Sequence, residues 1–483
     1  MEALIKKIQK LSKGYEVYFV GGFVRDLLTK RPHTDIDLSV AKHALKYSKM
    51  LAKAFGVKVI VIDAEHGTYR LYLANSTVRQ IDISLLDGDN ILEDLKKRDF
   101  TVNAFAIDIN RLAVLSNLIY ADKKALKDLR AKVLKPVSKE SFKQDPLRML
   151  RAFRFCAELG WTISPQTLKQ IKKSAPLIKN CAGERIKAEL FRVLDAPFCA
   201  LLIKLMDKTG ILGAILPETI KMKKAAKKFY YHKGGLFEHS FESFEAVESI
   251  LSNLKKYFPQ NLDDLKKHFE DNLRFSEFVT RAGLLKLAAL FHDNAKPETA
   301  KRVSGKIRFL KHDELGAAKV EKIFEKLKLG TKDVDLIKKL ISNHMRPSNL
   351  SKSRMITKRA KMKFFREIGD ETPEQIILSM ADWHSYRGLN THSPQTLKNQ
   401  EKEVKVMMAS YYEIKNQKPL IKLIDGHIIM KKFKLKPGPW IGDLLKLVVE
   451  KQKQGKIKDE KGALKLVDLK LTPILKKYNI ASL

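Results

Sequence analysis

The chain changes character near residue 120, and this change constrains the fold more than any other feature of the sequence. Before it, short β-branched runs are set around helical stretches. These runs, within residues 16–110, are EVYFVGG, TDIDLSV, VKVIVID, TYRLYLA, RQIDISLL and FAIDI. After it, the apolar spacing is almost wholly helical. The sequence therefore predicts an α/β head that carries a long, mostly α-helical body.

The chain has 483 residues, which is too many for a single hydrophobic core, because domains usually contain about 100–200 residues. The proline in LPET (216–219) indicates one break within the helical body. We predict four segments, which are a head over residues 1–135, a helical neck over 136–225, a helical domain over 226–400 and a basic helical tail over 401–483.

The net charge bears on the partners of the protein. Lys and Arg number 93 against 55 Asp and Glu, which leaves a formal charge of +38. So large an excess attracts polyphosphates, and nucleic acid is the first partner that it suggests. A Lys-rich proteome would produce the same excess. Composition alone therefore leaves both explanations open.

Cysteine usage and hydropathy bear on the compartment. Cys156, Cys181 and Cys199 lie in apolar helical patterns, which suits a reducing compartment and argues against a thiolate metal site. Apolar runs stay shorter than the ~18 residues that a membrane helix needs. We expect a cytoplasmic protein without a membrane partner, and the sequence leaves its oligomeric state open.

Two glycines and three carboxylates in the head predict a phosphate and metal site. Gly21 and Gly22 join a buried strand to a helix, where backbone N–H groups can approach phosphate without a Cβ in the way. Asp35 and Asp37 lie two apart in a strand and so share one face. Such a pair suits Mg²⁺, and Asp82 on a neighbouring strand would complete a two-metal site. The alternative to a metal-binding role is that Asp82 is simply a solvent-exposed residue of the strand.

The run QDPLRMLRAFRF predicts a surface that recognises a nucleobase. Asp145 precedes Pro146 at an expected helix start, and Arg148 follows three positions later on the same face. A carboxylate beside a guanidinium offers acceptors next to donors, which matches the Watson–Crick edges of cytosine and adenine. Uracil and guanine present the opposite pattern. This surface would therefore accept cytosine or adenine and leave buried groups unpaired with uracil or guanine.

Five motifs resemble, in order, those of the bacterial-type (class II) tRNA nucleotidyltransferase and poly(A) polymerase family. They cover roughly residues 15–220 and read GGFVRDLL, DID, RDFTVNAFAID (98–108), QDPLRMLRAFRFCAELGW (144–161) and GERIKAEL (183–190). The resemblance implies a polymerase-β-like nucleotidyltransferase head that acts on the 3′ end of tRNA. It implies metal ligands at Asp35 and Asp37, and nucleotide-binding residues at Gly21, Gly22, Arg25, Arg98, Asp99, Asn103, Asp145, Arg148, Arg151 and Arg154.

The chain departs from the family pattern at the base-reading motif. The family has Glu where Gln144 stands, so a charge that would help to orient Arg148 is missing. We expect Glu184, Arg185 and Glu189 to form ion pairs that pack helices rather than to act on the nucleotide. The alternative to nucleotide binding by Asp99 is that this residue caps a helix.

The second half resembles HD-domain phosphohydrolases. His239, the adjacent pair His292 and Asp293, and the distant Asp382 resemble the ligand set that holds a divalent or transition metal in that superfamily. His312 and His344 resemble its further histidines, whereas HDNAK stands in place of the usual HDIGK. The alternative is a helical scaffold that mainly contacts RNA.

The length of the segment that follows Asp82 bears on which nucleotides are added. Ten residues, 83–92, separate Asp82 from Glu93 and Asp94, and we expect Leu85 and Leu86 to continue the strand. CCA-adding members of the resembled family generally carry a longer flexible loop there. We expect robust incorporation of CTP and weaker or absent incorporation of ATP. Complete CCA addition, CC addition and poly(A) tailing stay open, as do an HD phosphohydrolase with an RNA-binding head and a pure RNA-binding scaffold.

Overall fold

The computed structural model describes residues 2–478 except 33, 74–77, 112–118, 226–231, 233, 352–355, 386–393, 417–421 and 454–455. Two compact units are present, Met1–Tyr411 and Tyr412–Leu483. The predicted boundary after residue 225 falls at a segment outside the described residues. No helix in the described ranges is long and apolar enough to cross a membrane.

The head is a mixed sheet with helices, as the alternating runs predicted. Its elements are α1 (Glu2–Leu11), β1 (Val17–Val20), α2 (Gly21–Leu28), β2 (Asp35–Val40), α3 (Ala44–Phe55), β3 (Val59–Asp63), β4 (Thr68–Tyr72), β5 (Gln80–Leu85), α4 (Ile91–Lys97), β6 (Ala106–Asp108), β7 (Ile119–Tyr120), α5 (Lys123–Ala131) and β8 (Val133–Leu134). The six expected strand runs correspond to β1–β6.

Seven strands form the head sheet in the order β3-β4-β5-β2-β1-β6-β7. The pair β2 and β5 is parallel, and the other neighbours are antiparallel. Ile36, Leu38, Ile81 and Ile83 are buried, with at most 1% of their surface exposed. Because side chains alternate along a strand, the aspartates between them lie on the opposite face. The apolar core thus sets the face on which the carboxylates stand.

The neck follows and is helical except for one short strand. It contains α6 (Ser141–Gln144), α7 (Arg148–Leu159), β9 (Thr162–Ile163), α8 (Pro165–Ser174), α9 (Gly183–Asp195), α10 (Cys199–Lys208), α11 (Ile211–Ile215) and α12 (Glu218–Lys224). Strands β8 and β9 pair in parallel. The Ser164 hydroxyl accepts from the Thr167 N–H, which caps α8 just before Pro165.

The next region is helical around one short hairpin, as expected. It contains α13 (Leu236–Ser252), α14 (Leu254–Tyr257), α15 (Leu262–Glu270), α16 (Arg281–Phe291), α17 (Lys296–Thr299), β10 (Ala300–Val303), β11 (Lys306–Phe309), α18 (His312–Ala318), α19 (Val320–Phe324), α20 (Thr331–Asn343), α21 (Met345–Ser351), α22 (Lys358–Ile368), α23 (Thr372–Ser385) and α24 (Pro394–Lys415). Helix α16 is mostly apolar and is buried at every position except Ala282, which places it at the centre of this region.

The second compact unit is helical. It contains α25 (Gly426–Phe433), α26 (Pro439–Lys453) and α27 (Glu460–Lys477). Its small core includes Ile429, Leu444, Val448 and Val467, each with at most 1% of its surface exposed.

Two local expectations need correction. Strand β5 ends at Leu85, and Leu86 lies beyond it with 8% of its surface exposed, packed into an apolar cluster of the head. Asp145 is the C-cap residue of α6, and α7 begins at Arg148 rather than at Pro146. The Asp145 carboxylate accepts from the Leu147 N–H, which favours a turn there over a continuous helix start.

Candidate functional site

One cavity of about 700 Å³ gathers every head and neck residue that the sequence predicted for the site. These residues come from β2, β5, α2, α7 and the turns that follow α4 and α6. They are Gly21, Gly22, Arg25, Asp35, Asp37, Asp82, Arg98, Asp99, Asn103, Asp145, Arg148, Arg151 and Arg154. The roles assigned to them remain predictions.

The three predicted carboxylates come from two adjacent parallel strands. Asp37 in β2 is the direct register partner of Asp82 in β5, and Asp35 lies two residues before Asp37. Desolvation, followed by the charge of Asp82, raises the pKa of Asp37 to about 6. A cation that neutralised this group would relieve the repulsion. The oxygen ligands therefore suit a hard divalent ion.

The glycine pair allows close backbone approach to Asp37. Gly21 has φ +63°, and a Cβ there would lie 3.3 Å from Asp37 Oδ2. At Gly22 the corresponding distance would be 3.4 Å. A side chain at Gly21 would be strained and would crowd the carboxylate, whereas one at Gly22 would make ordinary van der Waals contact with it.

Arg25, Asn103 and Asp99 form a chain of hydrogen bonds along the cavity wall. Arg25 Nη1 donates to Asn103 Oδ1 over 2.7 Å, and Asn103 Nδ2 donates to Asp99 Oδ1 over 3.0 Å. Arg151 Nε donates to the other oxygen of Asp99 over 2.9 Å. The Arg151 guanidinium and these hydrogen bonds hold the pKa of Asp99 below its usual range despite burial. Asp99 therefore joins the head to α7.

Arg98 is held beside the glycine pair. Its Nη2 donates to Ser39 Oγ over 2.9 Å and to Asp94 Oδ2 over 2.6 Å. A Cβ on Gly21 would lie 3.7 Å from Arg98 Nη1, which faces the same space. The guanidinium is thus oriented before any anion binds.

Asp145 and Arg148 are each held by a partner other than the one expected. Arg185 Nη2 donates to Asp145 Oδ2 over 3.0 Å. Arg148 Nη2 donates to the Lys97 carbonyl over 2.6 Å, and its Nη1 reaches Gln144 Oε1 at 3.5 Å. The two side chains line one cavity but are oriented separately. Gln144 makes only a long contact with Arg148 at the position where the family has a carboxylate.

Arg185 forms an ion pair, as predicted, with Asp145, and it also lines the cavity. Glu189 behaves as expected, since it forms buried ion pairs with Arg154 and Arg151. Arg192 also lines the cavity and was missed. The signal was available, because positions 185 and 192 are seven apart and share one face of α9.

Arg70 is a third residue that sequence reasoning missed. It lies in β4, where it is the register partner of Asp82. Its side chain contacts both oxygens of that carboxylate. In the sequence TYRLY, Arg70 stands between buried residues, and strand alternation alone would have placed it on the aspartate face.

The residues predicted for the HD-type metal site also lie close together, in the helical region of the first compact unit. His239 lies in α13, His292 and Asp293 follow α16, and Asp382 lies in α23. His239 Nε2 is 3.2 Å from Asp293 Oδ2 and 3.3 Å from Asp382 Oδ1. His312 Nε2 and His344 Nε2 face the other Asp293 oxygen at 3.3 and 3.6 Å. The two oxygens of Asp293 thus face different imidazoles, within one cluster in which the rings of His292 and His344 are 5.1 Å apart.

Hydrogen bonds set the tautomers of these histidines. Nδ1 of His292, His312 and His344 lies 2.7–2.8 Å from the carbonyls of Ala289, Phe309 and Ile341. An Nδ1–H donor leaves Nε2 as a lone pair, which is the form that ligates metals. Burial lowers the pKa of His292, but the carboxylates of Asp293 and Asp382 outweigh this and raise it to about 10. The same two carboxylates would also attract a metal cation to this position.

The donor set fits a metal. Ligand atoms of His239, His292 and Asp382 lie within 4.8 Å of one another, as do those of His292, Asp293 and His344. Both oxygens of Asp293 and Oδ1 of Asp382 are buried and lack a hydrogen bond of good geometry from any described residue. Lys296, the last residue of HDNAK, contacts Asp293 Oδ2. Although HDNAK differs from HDIGK, its lysine still places a positive charge beside the Asp293 carboxylate.

Three family profiles match the chain in series. They are "Poly A polymerase head domain" over residues 17–135, "Probable RNA and SrmB- binding site of polymerase A" over 160–222 and "HD domain" over 236–387. Nine of the thirteen predicted residues that line the cavity lie in the first match, and Asp145, Arg148, Arg151 and Arg154 lie between the first and second matches. The imidazole cluster falls within the third match.

Relatives with assigned activities cover most of the chain. A CC-adding tRNA nucleotidyltransferase of Thermus thermophilus is 30% identical over 450 residues, which are 92% of this chain and 91% of the relative. A CC-adding enzyme of Geobacter sulfurreducens is 38% identical over 202 residues, 42% of this chain and 46% of its own. An A-adding enzyme of Deinococcus radiodurans is 28% identical over 448 residues, 91% of this chain and 92% of its own.

Solved structures share the fold. A Thermotoga maritima CCA-adding enzyme complexed with tRNA matches with a TM-score of 0.59 and 21% identity, over 96% of this chain and 94% of its own. A CCA-adding enzyme with ATP matches with a TM-score of 0.60 and 22% identity, over 97% and 95%. The resemblance drawn from the five motifs is confirmed. The chain belongs to the bacterial-type tRNA nucleotidyltransferase and poly(A) polymerase family, and it is a nucleotidyltransferase with an HD domain.

Proposed function

We propose that the protein adds CC to the 3′ end of tRNA from CTP without a nucleic-acid template. The observation that supports this reaction is the cavity that Asp35, Asp37 and Asp82 line together with Asp145 and Arg148. The three carboxylates suit a metal-bound triphosphate, and Asp145 with Arg148 suits a cytosine edge. The terminal tRNA hydroxyl would attack the α-phosphate, and pyrophosphate would leave.

Mg²⁺ is the metal that we propose for the head. Asp35 and Asp37 would hold it, with Asp82 available from β5, and bound Mg²⁺ would neutralise charge on the triphosphate. Arg25 and Arg98 would bind the phosphates, while Asp99 and Asn103 would position the ribose. Arg151 and Arg154 would support the base-reading face of α7.

The segment after β5 supports a product that stops at CC. The Asp87 N–H donates to Asp94 Oδ1 over 3.0 Å, and Lys97 Nζ donates to Asp87 Oδ1 over 2.6 Å. The Asp89 N–H donates to Glu93 Oε2 over 3.0 Å. A short segment tied at these points has little freedom to shift Asp145 and Arg148 for a purine. Complete CCA addition and poly(A) tailing are the alternatives.

The deciding experiment uses tRNA transcripts that lack all three terminal nucleotides, end in CC or end in CCA. Each is incubated with CTP alone, ATP alone or both, and products are resolved at one-nucleotide spacing. We expect two additions from CTP and weak or absent addition from ATP. Efficient completion of CCA would overturn the CC-only product. Repeated AMP addition to any RNA would favour poly(A) tailing. Asp37→Ala should abolish incorporation and change tRNA affinity by less than about threefold, because binding rests on Lys and Arg.

We infer a second activity, metal-dependent phosphohydrolysis in the HD domain. The observation in its favour is the Asp293 carboxylate, which has His239 and His292 at one oxygen and His312 and His344 at the other. Two metals could share it, one also bound by Asp382. A bridged pair can activate water and bind a phosphate ester.

The test measures metal content and hydrolysis of bis-p-nitrophenyl phosphate after loading with Mn²⁺ or Ni²⁺. We expect up to two metals per chain and hydrolysis. His292→Ala should abolish both metal binding in the HD domain and hydrolysis, while CTP incorporation persists. His312→Ala should remove one metal. A wild-type protein without bound metal in this domain would contradict the second activity and leave the nucleotidyltransferase untouched.

A further inference from the structure

An arginine of β4 continues the row of aspartates on the metal-binding side of the nucleotide cavity. Arg70 in β4 is the register partner of Asp82 in β5, and Asp82 is the register partner of Asp37 in β2. Directly paired positions of neighbouring strands point to the same face of a sheet. Arg70, Asp82 and Asp37 therefore follow one another across three adjacent strands, and all three line the cavity.

The guanidinium of Arg70 binds Asp82 through both carboxylate oxygens, at 2.7 and 2.8 Å. Among the described residues, Asp82 is the only carboxylate with which Arg70 forms an ion pair. The two side chains keep 28% and 27% of their surface exposed. A pair that is partly open to solvent separates at lower cost than a buried pair, because water or a ligand can replace either partner. A ligand in the cavity can therefore take Arg70 away from Asp82.

The guanidinium limits the positive charge that the aspartates can accept. Against one guanidinium, the carboxylates of Asp35, Asp37 and Asp82 leave a charge that one divalent cation balances. A second cation between Asp37 and Asp82 would stand beside the guanidinium, because neighbouring strands are only about 4.8 Å apart. Like charges at this separation repel. Arg70 must therefore leave Asp82 before a second cation can bind there.

A triphosphate would give the displaced guanidinium a new partner. In phosphoryl transfer the phosphate oxygens share the metals with the carboxylates, so they come to the same side of the cavity. Arginine binds phosphate through bidentate, charge-assisted hydrogen bonds, the same geometry that Arg70 has with Asp82. Arg98 has no comparable exchange, because its partner Asp94 lies in α4 with only 4% of its side chain exposed. Arg70 is the arginine whose present partner a metal would also bind.

We propose that Arg70 is a further triphosphate-binding residue, which pairs with Asp82 in the free enzyme and moves to the β- and γ-phosphates when nucleotide and a second divalent cation bind. The ion pair keeps the second cation out until a triphosphate is present to receive the guanidinium. The inference rests on the proposed function, in that the triphosphate is that of CTP. It goes beyond that function, because it makes the second metal position depend on the nucleotide.

The first test measures binding of a nucleotide that cannot react. The α,β-methylene analogue of CTP and, by competition, CMP are titrated into the full-length protein with Mg²⁺ and without tRNA. Arg70→Ala should lower the affinity for the analogue about tenfold and that for CMP less than about twofold, because CMP lacks the β- and γ-phosphates. The control is Arg79→Ala, which removes an exposed arginine just before β5 that is not part of the cavity lining. It should keep both affinities within about twofold of wild type. Equal effects of Arg70→Ala on the two ligands, or no effect on either, would overturn the phosphate contact.

The second test counts bound Mn²⁺ by electron paramagnetic resonance, with and without saturating analogue. Metal in the HD domain is the same in both proteins and cancels from their difference. Without nucleotide, Arg70→Ala should bind about one Mn²⁺ more than the wild type, and with the analogue the two counts should be equal. Equal counts without nucleotide would overturn the exchange at Asp82.

Arg70→Lys covers the case in which Arg70→Ala fails to fold. It keeps the charge but not the paired donors, so it should retain the wild-type Mn²⁺ count and lose about threefold in affinity for the analogue alone. A wild-type affinity for the analogue in Arg70→Lys together with an unchanged Arg70→Ala would contradict the proposal. Neither test measures incorporation. A wild type that binds the analogue but adds no nucleotide to tRNA would therefore overturn the proposed function and leave this inference standing.

Discussion

Arg70 contacts both carboxylate oxygens of Asp82, with Nε 2.7 Å from Oδ1 and Nη2 2.8 Å from Oδ2. Asp82 is at the same time the register partner of Asp37 across the parallel strands. The third carboxylate of the site is therefore neutralised by a side chain from β4. A metal that used Asp82 would have to compete with this guanidinium.

Arg70→Ala should strengthen divalent-cation binding and weaken the metal-free fold. Removing the guanidinium leaves Asp82 facing Asp37, which raises the negative charge available to Mn²⁺ or Mg²⁺. We expect metal affinity to rise several-fold and the free energy of unfolding without metal to fall by about 1.5–3 kcal/mol. Mn²⁺ titration followed by electron paramagnetic resonance, with urea unfolding, measures both. Arg70→Lys is the control and should stay near wild type. Weaker Mn²⁺ binding in Arg70→Ala would mean that Arg70 positions Asp82 for the metal.

Metal binding should depend on pH through Asp37. Its folded pKa is raised to about 6 from the ordinary value of 3.8, so the metal-free protein carries a proton there below about pH 6. A cation must displace that proton, and each pH unit below 6 should cost about tenfold in affinity. For the same reason, the free energy of unfolding without metal should fall as pH rises from about 4 to 6. Calorimetry in buffers of different ionisation enthalpy would detect the proton release. An affinity that stays constant from pH 5 to 7 would contradict the prediction.

Arg185→Ala should relax nucleotide selection. Arg185 holds Asp145 Oδ2, so its loss frees the carboxylate that is proposed to face the base. Misplacement on this scale can cost up to about 100-fold in rate, and selection against UTP and GTP should fall with it. The ratio of kcat/KM for CTP to that for UTP measures the effect. Arg192→Ala on the same face of α9 is the matched comparison and should keep the ratio. A purely structural role for Arg185 would lower stability but leave the ratio unchanged.

Gln144→Glu should tighten the hold on Arg148. The present contact of Arg148 Nη1 with Gln144 Oε1 is 3.5 Å long, whereas a carboxylate would form a charge-assisted bond worth about 1.5–3 kcal/mol where it is shielded. We expect stricter rejection of UTP and GTP and unchanged KM for tRNA. Single-turnover incorporation of each of the four nucleotides checks this. Gln144→Ala should shift selectivity in the opposite direction. No change in either variant would mean that Arg148 is oriented instead by the hydrogen bonds that it donates to the Lys97 carbonyl and, over 3.0 Å, to Ser141 Oγ.

Local sequence rules accounted for much of the site. Alternation along a strand places Asp35 and Asp37 on one face, because the neighbouring Ile36 and Leu38 are drawn into the core. The adjacent pair His292 and Asp293 likewise indicated a metal site without any knowledge of its partners. Such signals are readable from the sequence because they depend only on spacing within one element.

The tertiary structure decided which groups the site residues contact. Arg70 reaches Asp82 because β4 and β5 are neighbours, and Arg185 reaches Asp145 across forty residues because α9 lies against the turn before α7. Asp145 and Arg148 are neighbours in sequence, yet each bonds elsewhere. Asp293 has His239 and His292 at one oxygen and His312 and His344 at the other only because distant segments meet around it. The sequence by itself determined the types and local faces of the reactive groups. Their pairing depends on the packing of distant elements, which the spacing of residues along the chain does not encode.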